Sequence, residues 1–499
     1  MVVHQGRFLN HPLPYRKGFN LSHRFFMAFC RHSRRLREVM WVALIGFSSL
    51  SLLRGEVLAF PSDTTGDHRF RDAFLQGNSG GQFRSYFMAT DNTGALSDYY
   101  AWAAGGWLHF HTATWRGFSL GASGAFNFNL LSSDLGRPDS ATGAVNRYEI
   151  GLFDVENPYN RRDLHRLEEL WLRYQWRKSS LTIGQQLLQS PFINHQDGRM
   201  RPTAESGAWL TWKEWNGLQI EGGWLWRISP RSTVRWYSVG ASIGLYPRGL
   251  NPDGTASGYA GNLNSRGIGL LGVTFGRVKH LKLQLWNQYV ENIFNTLFFQ
   301  ADYKRPLKGT QQLILGLQLG LQHPVRHGGN EAPTKTYFLP GSRAGILSTQ
   351  VGWQKKSWQL LAAYTRVAAW GRFLSPREWG REPFYTFMPR ERIEGSGDSH
   401  SLTGRLRWAS NNGRWKIETA YGYFLLPDVR RTDMNKYGFP AFQQVNLDIR
   451  YAFGGEWEGL QAQFLYVWKG RIGDFYGNYR YVINKVDMSL FNVIFNYSF

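Results

Sequence analysis

From about Gly80 onward, apolar residues recur at every second position in runs of about ten, separated by polar stretches rich in Gly, Pro and Asn. A period of two is the signature of a β-strand, whose successive side chains point to opposite faces. Between Gln312 and Gln322, Leu313, Leu315, Leu317, Leu319 and Leu321 share one face, and Gln312, Gly316, Gln318, Gly320 and Gln322 share the other. Val445, Leu447, Ile449, Tyr451 and Phe453 likewise oppose Asn446, Asp448 and Arg450. In the final run Phe491, Val493, Phe495, Tyr497 and Phe499 oppose Asn492, Asn496 and Ser498. A strand this apolar on one side sits poorly at a soluble edge, where it invites aggregation. It suits a membrane barrel whose strands face lipid and lumen alternately, and about ten tilted residues cross a bilayer.

The pattern predicts an all-β, transmembrane antiparallel β-barrel. Strands are expected near 81–90, 99–112, 117–129, 166–177, 180–188, 204–213, 217–228, 267–277, 279–292, 295–304, 310–322, 343–355, 357–367, 399–409, 414–425, 443–454, 459–469 and 486–499. The run Val239 to Leu245 would add one more, but bacterial barrels have even strand numbers, so it is assigned to a long loop. Short connections such as 113–116 and 410–413, the latter holding Asn412-Gly413, alternate with long ones at 130–165, 229–266, 323–342, 368–398 and 426–442. Short periplasmic turns and long extracellular loops alternate in this way. Only the tight link near Ile293 departs from the alternation.

Composition narrows the class. A mean hydropathy of −0.39 excludes a helical membrane protein, while 16% aromatic residues suit aromatic girdles. Residues 1–60 hold nine Lys and Arg against Glu38 and Glu56, a contribution of +7 that leaves +15 of the total +22. That surplus favours anionic partners. After residue 60 the basic residues are scattered, which argues against a nucleic-acid partner. Arg31 to Met40 is basic, Trp41 to Leu53 is apolar, and Val57-Leu58-Ala59 offers a small-residue cleavage site, the layout of a secretory signal peptide. The expected organisation is an upstream extension and leader at 1–59, an N-terminal periplasmic segment at 60–79 and the barrel at 80–499. The single cysteine, Cys30, falls in the leader, so no disulfide framework is expected.

Two enzyme-like motifs carry little weight. Gly267-Ile268-Gly269-Leu270-Leu271-Gly272 lies within a strand and leads to no helix, and Gly77-Asn78-Ser79-Gly80-Gly81 has no strand-to-helix elbow. His109 and His111 share the inward face without a third metal ligand, and no cofactor is expected. The inward parity is more informative: it collects Arg84, Arg173, Arg177, Lys213, Lys282, Arg405, Arg407 and Arg450. Rows of guanidinium groups in a narrow pore favour anions and guide carboxylates. Inward cations that merely pair with Glu221, Glu418 or Asp448 would instead fill a wet wall.

The stretch Gln189 to Ala204, preceded by Ile183-Gly184-Gln185-Gln186 and followed by Gly207, resembles the third-loop signature of the OprD-type porin family. There a Gly-x-Gln strand is followed by Pro and an Asp-x-Arg-x-x-Pro loop, approximated here by Asp197, Arg199 and Pro202. Gly81-Gln82-Phe83-Arg84-Ser85-Tyr86 resembles the family's first strand. The resemblance implies an eighteen-stranded channel in which inward loops narrow a pore lined by an arginine ladder. It implies passage of small carboxylate-bearing solutes such as amino acids, peptides or organic acids. Asp197, Arg199 and Arg201 would then sit at the constriction, with Arg173, Arg405, Arg407 and Arg450 as the ladder. The loops at 229–266 and 368–398 are longer than the family pattern leads one to expect. Expected partners are outer-membrane lipid and lipopolysaccharide, and the barrel-assembly machinery through the terminal aromatic Phe499. Two other classes fit the same strands: a barrel enzyme, lipase or protease, and a closed barrel whose loops bind a partner or polysaccharide through Tyr337, Arg372, Trp379 and Arg390.

Overall fold

The structure, a computed structural model, describes residues 70–195 and 199–499. The leader expected over 1–59, with Cys30, the first ten residues of the segment 60–79, and Asp197 lie outside the described residues. The first strands are β1 (Asn78–Asn92), β2 (Tyr99–His111), β3 (Phe118–Ser132), β4 (Arg166–Trp176), β5 (Ser179–Gln186), β6 (Ala204–Trp212) and β7 (Leu218–Ser229). After the two-residue β8 (Tyr237–Ser238) come β9 (Ile268–Phe275), β10 (Leu281–Val290), β11 (Phe294–Pro306), β12 (Gln311–Pro324) and β13 (Ala344–Lys355). The ring is completed by β14 (Trp358–Val367), β15 (Ser399–Ala409), β16 (Trp415–Leu425), β17 (Phe442–Ala452), β18 (Leu460–Arg471) and β19 (Met488–Ser498).

Eighteen of these pair antiparallel, each with its neighbours, and β1 closes on β19 from Gln82↔Ser498 to Asn92↔Met488. Gly81 and Phe499 exchange backbone hydrogen bonds of 3.1 Å at the seam. Closure satisfies every ladder group internally, the condition for backbone in contact with hydrocarbon. Each strand expected from the alternation is present, its ends within three residues of the expected ones. The alternation also holds in three dimensions: Leu317, Leu319 and Leu321 are exposed on the outer wall, and Gln318 and Gln322 are buried inside.

The run Val239 to Leu245 is loop, as assigned; a 3₁₀ turn at Gly240–Ser242 turns Val239 and Ile243 into the interior. The small β8 just before it, which pairs with Arg227 and Ile228, has no counterpart in the sequence reading. The tight link near Ile293 is a true hairpin, with Asn292 at φ 64 closing β10 onto β11. Gly413 and Gly309 take the positive φ values of 70 and 66 that their turns require. A short helix, α1 (Phe70–Leu75), docks on the β2–β3 turn, where the Ala73 carbonyl accepts from the Ala113 N–H at 2.8 Å.

Apolar packing occurs inside the wall as well as outside it. One cluster joins loop residues Phe192, Phe338, Phe373 and Trp379 to inward strand residues such as Trp286, Phe298 and Phe424. A second joins Leu152 and Phe153 of the loop 133–165 to Tyr86, Met88, Val467 and Leu490. The long-loop end of the barrel is therefore filled by its own loops.

Candidate functional site

The loop 368–398 forms a strap that runs round the inner wall. Its ends touch: Phe373 donates to the Ser396 carbonyl at 2.9 Å and accepts from the Gly395 N–H at 2.7 Å. Between them the chain is pegged to strand after strand by inward polar side chains. Gln322 donates to the Leu374 carbonyl at 2.7 Å and accepts from the Leu374 N–H at 3.0 Å. Gln318 donates to the Pro383 carbonyl at 3.1 Å, and Gln444 to the Pro389 carbonyl at 2.8 Å. Arg405 reaches the Phe387 carbonyl. Lys469 donates to the Arg390 carbonyl at 3.0 Å. Trp379, at 0% exposure the largest fully buried side chain, and Phe373, Phe384 and Met388 fill the space between strap and wall.

Buried ions fasten the strap further. Glu391 meets Lys469 Nζ at 2.9 Å, Arg147 Nη2 at 3.3 Å and Arg377 Nη1 at 3.9 Å. Burial pushes its carboxyl up, but those three cations outweigh it and hold the pKa at about 2. Burial has the opposite outcome at Glu382, raised to about 7 although it accepts from the Ile393 and Glu394 N–H groups. The Lys436 ammonium, drawn down to about 8 by burial, lies 4.9, 4.7 and 5.2 Å from the rings of Tyr259, Tyr337 and Tyr437, joining three loops.

The described residues of the third loop, 187–195 and 199–203, meet this strap and the wall. Asn194 accepts from the Arg381 N–H at 3.0 Å and donates to the Arg381 carbonyl at 2.9 Å. On the far side Arg84 of β1 donates to the Arg199 carbonyl at 2.5 Å. Strap, third loop and wall border an open cavity of about 340 Å³, lined by Gln189, Asn194, Arg381, Tyr385, Arg405 and Arg407 among others. Glu418 pairs with both Arg405, at 3.8 Å, and Arg407. Toward the turn end the same wall adds Arg450, paired with Asp448 at 2.7 Å, and Lys416, whose Cα partner is Arg450. Arg405, Arg407 and Arg450 thus share two carboxylates on three neighbouring strands, with Lys416 beside them.

Farther round the ring an inward column of rings descends β2, with centroids 5.4 Å apart from Trp107 to His109 and 4.9 Å to His111. It steps 5.1 Å across Gly121 to Trp171 of β4, and the Arg173 guanidinium stacks 4.4 Å from that ring. A Cβ at Gly121 would lie 2.2 Å from the Trp171 ring, so glycine makes this step possible.

The family model described as outer membrane porin, OprD family, matches residues 72–369. The chain belongs to that family. Solved structures share the fold of this porin at low identity. Pseudomonas aeruginosa OpdO superposes with a TM-score of 0.64 at 16% identity, covering 87% of this chain and 99% of its own. Acinetobacter baumannii OccAB3 gives 0.66 at 16%, covering 85% and 99%. Pseudomonas aeruginosa OpdK, solved with vanillate, gives 0.63 at 16%, covering 85% and 98%. No curated protein matches the chain by sequence.

Within the porin the residues singled out from the sequence separate into groups. Arg405 and Arg407 line the cavity, Arg450 lies lower on the same wall, and Arg173 lies on the far side of the ring. Arg199 is buried in the third loop, where burial and the neighbouring Arg390 and Arg231 push its pKa well down. Arg201, lowered by burial to about 9, donates 3.0 Å hydrogen bonds to the Leu164 and Phe153 carbonyls, tying third loop to second. Arg177 and Lys213 lie exposed in turns rather than on the wall. Tyr337 and Trp379 are buried, Arg372 donates to the Leu250 carbonyl at 2.7 Å, tying loop to loop, and Arg390 donates to Asn492 of β19 at 2.7 Å, tying strap to wall. Arg166 and Glu168, paired inside at 2.8 Å, escaped the sequence reading because a bulge opposite Ser123 and Gly124 shifts the phase of β4.

Proposed function

We propose that this porin passes small anionic solutes, carboxylates above all, by unassisted diffusion through the gap between strap, third loop and basic wall. The observation that carries the reading is the cavity flanked by Arg381, Arg405 and Arg407, with Glu418 shared between two of them. A guanidinium that spends part of its charge on a fixed carboxylate can release it to a passing one at little net cost. Lys416 and Arg450 continue the positive surface toward the turn end, so a solute leaving the cavity meets further cations. OpdK, which shares the fold, was solved with vanillate, a small aromatic carboxylate. Asp197 belongs to this reading on its sequence alone, while the buried Arg199 and Arg201 would act by holding the third loop in place beside the gap, with Arg173 as an outlying member of the ladder. The chain is read as a channel without catalysis, exported by its leader and set in the bacterial outer membrane with its long loops outside. Phe499 would be the residue the barrel-assembly machinery reads.

Reversal potentials in planar bilayers under a salt gradient test the selectivity. The wild type is expected to prefer anions, with Arg405→Ala and Arg407→Ala each shifting the potential toward cations. A cation preference that neither substitution alters rejects the basic lining.

A further inference from the structure

The column of rings on β2 lines the lumen at the short-turn end, several strands round the ring from the basic cavity. Trp107, His109 and His111 occupy alternate positions there, on the face opposite the lipid-exposed Leu108 and Phe110, and all three are partly exposed. Register sets small residues beside them. Gly80 of β1 pairs with His109, while Gly121, Ser123 and Ala125 of β3 pair with His111, His109 and Trp107. A Cβ at Gly80 would lie 2.9 Å from His109 Cε1, so this glycine, like Gly121, leaves room for a ring to lean over the wall. The polar groups alongside already have partners. Asn78 Oδ1 lies 3.3 Å from His109 Nε2, the Ser123 hydroxyl donates to Glu169 at 2.9 Å, and the Gln82 amide donates to Ser498 Oγ at 3.2 Å. At the foot of the column Arg173 stacks on Trp171, and its Nε donates to the Thr182 hydroxyl at 3.0 Å.

A sugar would need a girdle of free donors and acceptors; this surface offers ring faces instead. We propose that the column is a second solute station, separate from the cavity, which stacks against the flat aromatic part of a solute crossing the short-turn end. A π face meets any flat ring without demanding a hydrogen-bond pattern, so the station selects on planarity rather than on charge. The successive centroids, 5.4 and 4.9 Å apart, lie within the spacing at which rings attract, so a solute stacked on one ring already touches the next and is passed along. The Arg173 guanidinium prolongs the track with a cationic face. The inference rests on the reading of the chain as a diffusion channel, and not on its preference for anions.

Single-channel recording of the full barrel in planar bilayers, with benzamide or cyclohexanecarboxamide as the probe, tests it. Both probes are uncharged and alike in size, and only benzamide is flat. Residence times read from current noise are expected to be about tenfold longer for benzamide. In Trp107→Ala/His109→Ala that ratio should fall to about one, whereas Trp107→Phe/His109→Phe, which keeps the rings, should preserve it. A heat-modifiable gel band establishes that each variant is folded. Equal residence of the two probes in the wild type, which needs no variant, overturns the station. A ratio that Trp107→Ala/His109→Ala leaves unchanged overturns it too, since the discrimination would then lie elsewhere in the pore. Glucose held as long as benzamide would overturn the assignment to flat rings. A wrong anion preference would show in the reversal potentials and leave these uncharged probes untouched.

Discussion

Glu391 shows how much one side chain contributes to the interior. Its carboxylate is the common partner of Lys469, Arg147 and Arg377. Glu391→Gln leaves three cations facing a neutral amide, and breaking a buried ionic cluster costs about 3–5 kcal/mol. Protease cleavage within 368–398 is expected to accelerate in that variant while the strands stay intact. The pH dependence has a definite sign. A carboxyl held at about 2 in the fold, against an ordinary 4.5, stabilises fully above 4.5 and loses its contribution as pH falls toward 2. Glu382, raised to about 7, acts in reverse: its contribution is complete below 4.5 and lost as pH rises through 7. Thermal melts from pH 5 to pH 2 should therefore fall less steeply in Glu391→Gln than in the wild type. At this scale the sequence was legible where parity ran undisturbed, as at Arg405, Arg407 and Arg450. It failed at Arg166 and Glu168, because one extra residue in β4 reverses inside and outside without any mark in the composition.

The strap lies along the inner wall and is the element proposed to set the bore. Its ends meet at Phe373 and Gly395, so residues 376–392 can be replaced by a Gly-Gly connection without stretching the barrel. Single-channel conductance is expected to rise severalfold in that deletion; unchanged conductance would place the narrowest point elsewhere. Strands were readable because lipid on one side and water on the other impose a strict period. The strap has no period. Its Phe373, Trp379, Phe384 and Met388 are unevenly spaced and pack wherever the wall leaves room, which a linear sequence does not display. The same limit explains why Tyr337 and Trp379 read as loop residues suited to a partner yet lie buried. The glutamines that anchor the strap, Gln318 and Gln322, were visible as inward residues, though not what they would hold.

For the whole molecule the decisive contact is the seam between β1 and β19, far apart in sequence and paired over eleven residues. Removing 488–499 exposes the edges of both β1 and β18, and each unpaired backbone group in hydrocarbon costs several kcal/mol. Such a truncation is expected to give no compact, heat-modifiable band on a gel, whereas the Gly-Gly strap deletion should retain one. The strap's attachment has a consequence for how these channels diversify. Most of its pegs grip main-chain oxygens, at Leu374, Pro383, Phe387, Pro389 and Arg390, and ignore the identity of the residue that carries them. Mutation can therefore restyle what a traveller brushes against while the scaffold keeps its grip, and a new diet need not cost the cell a new barrel.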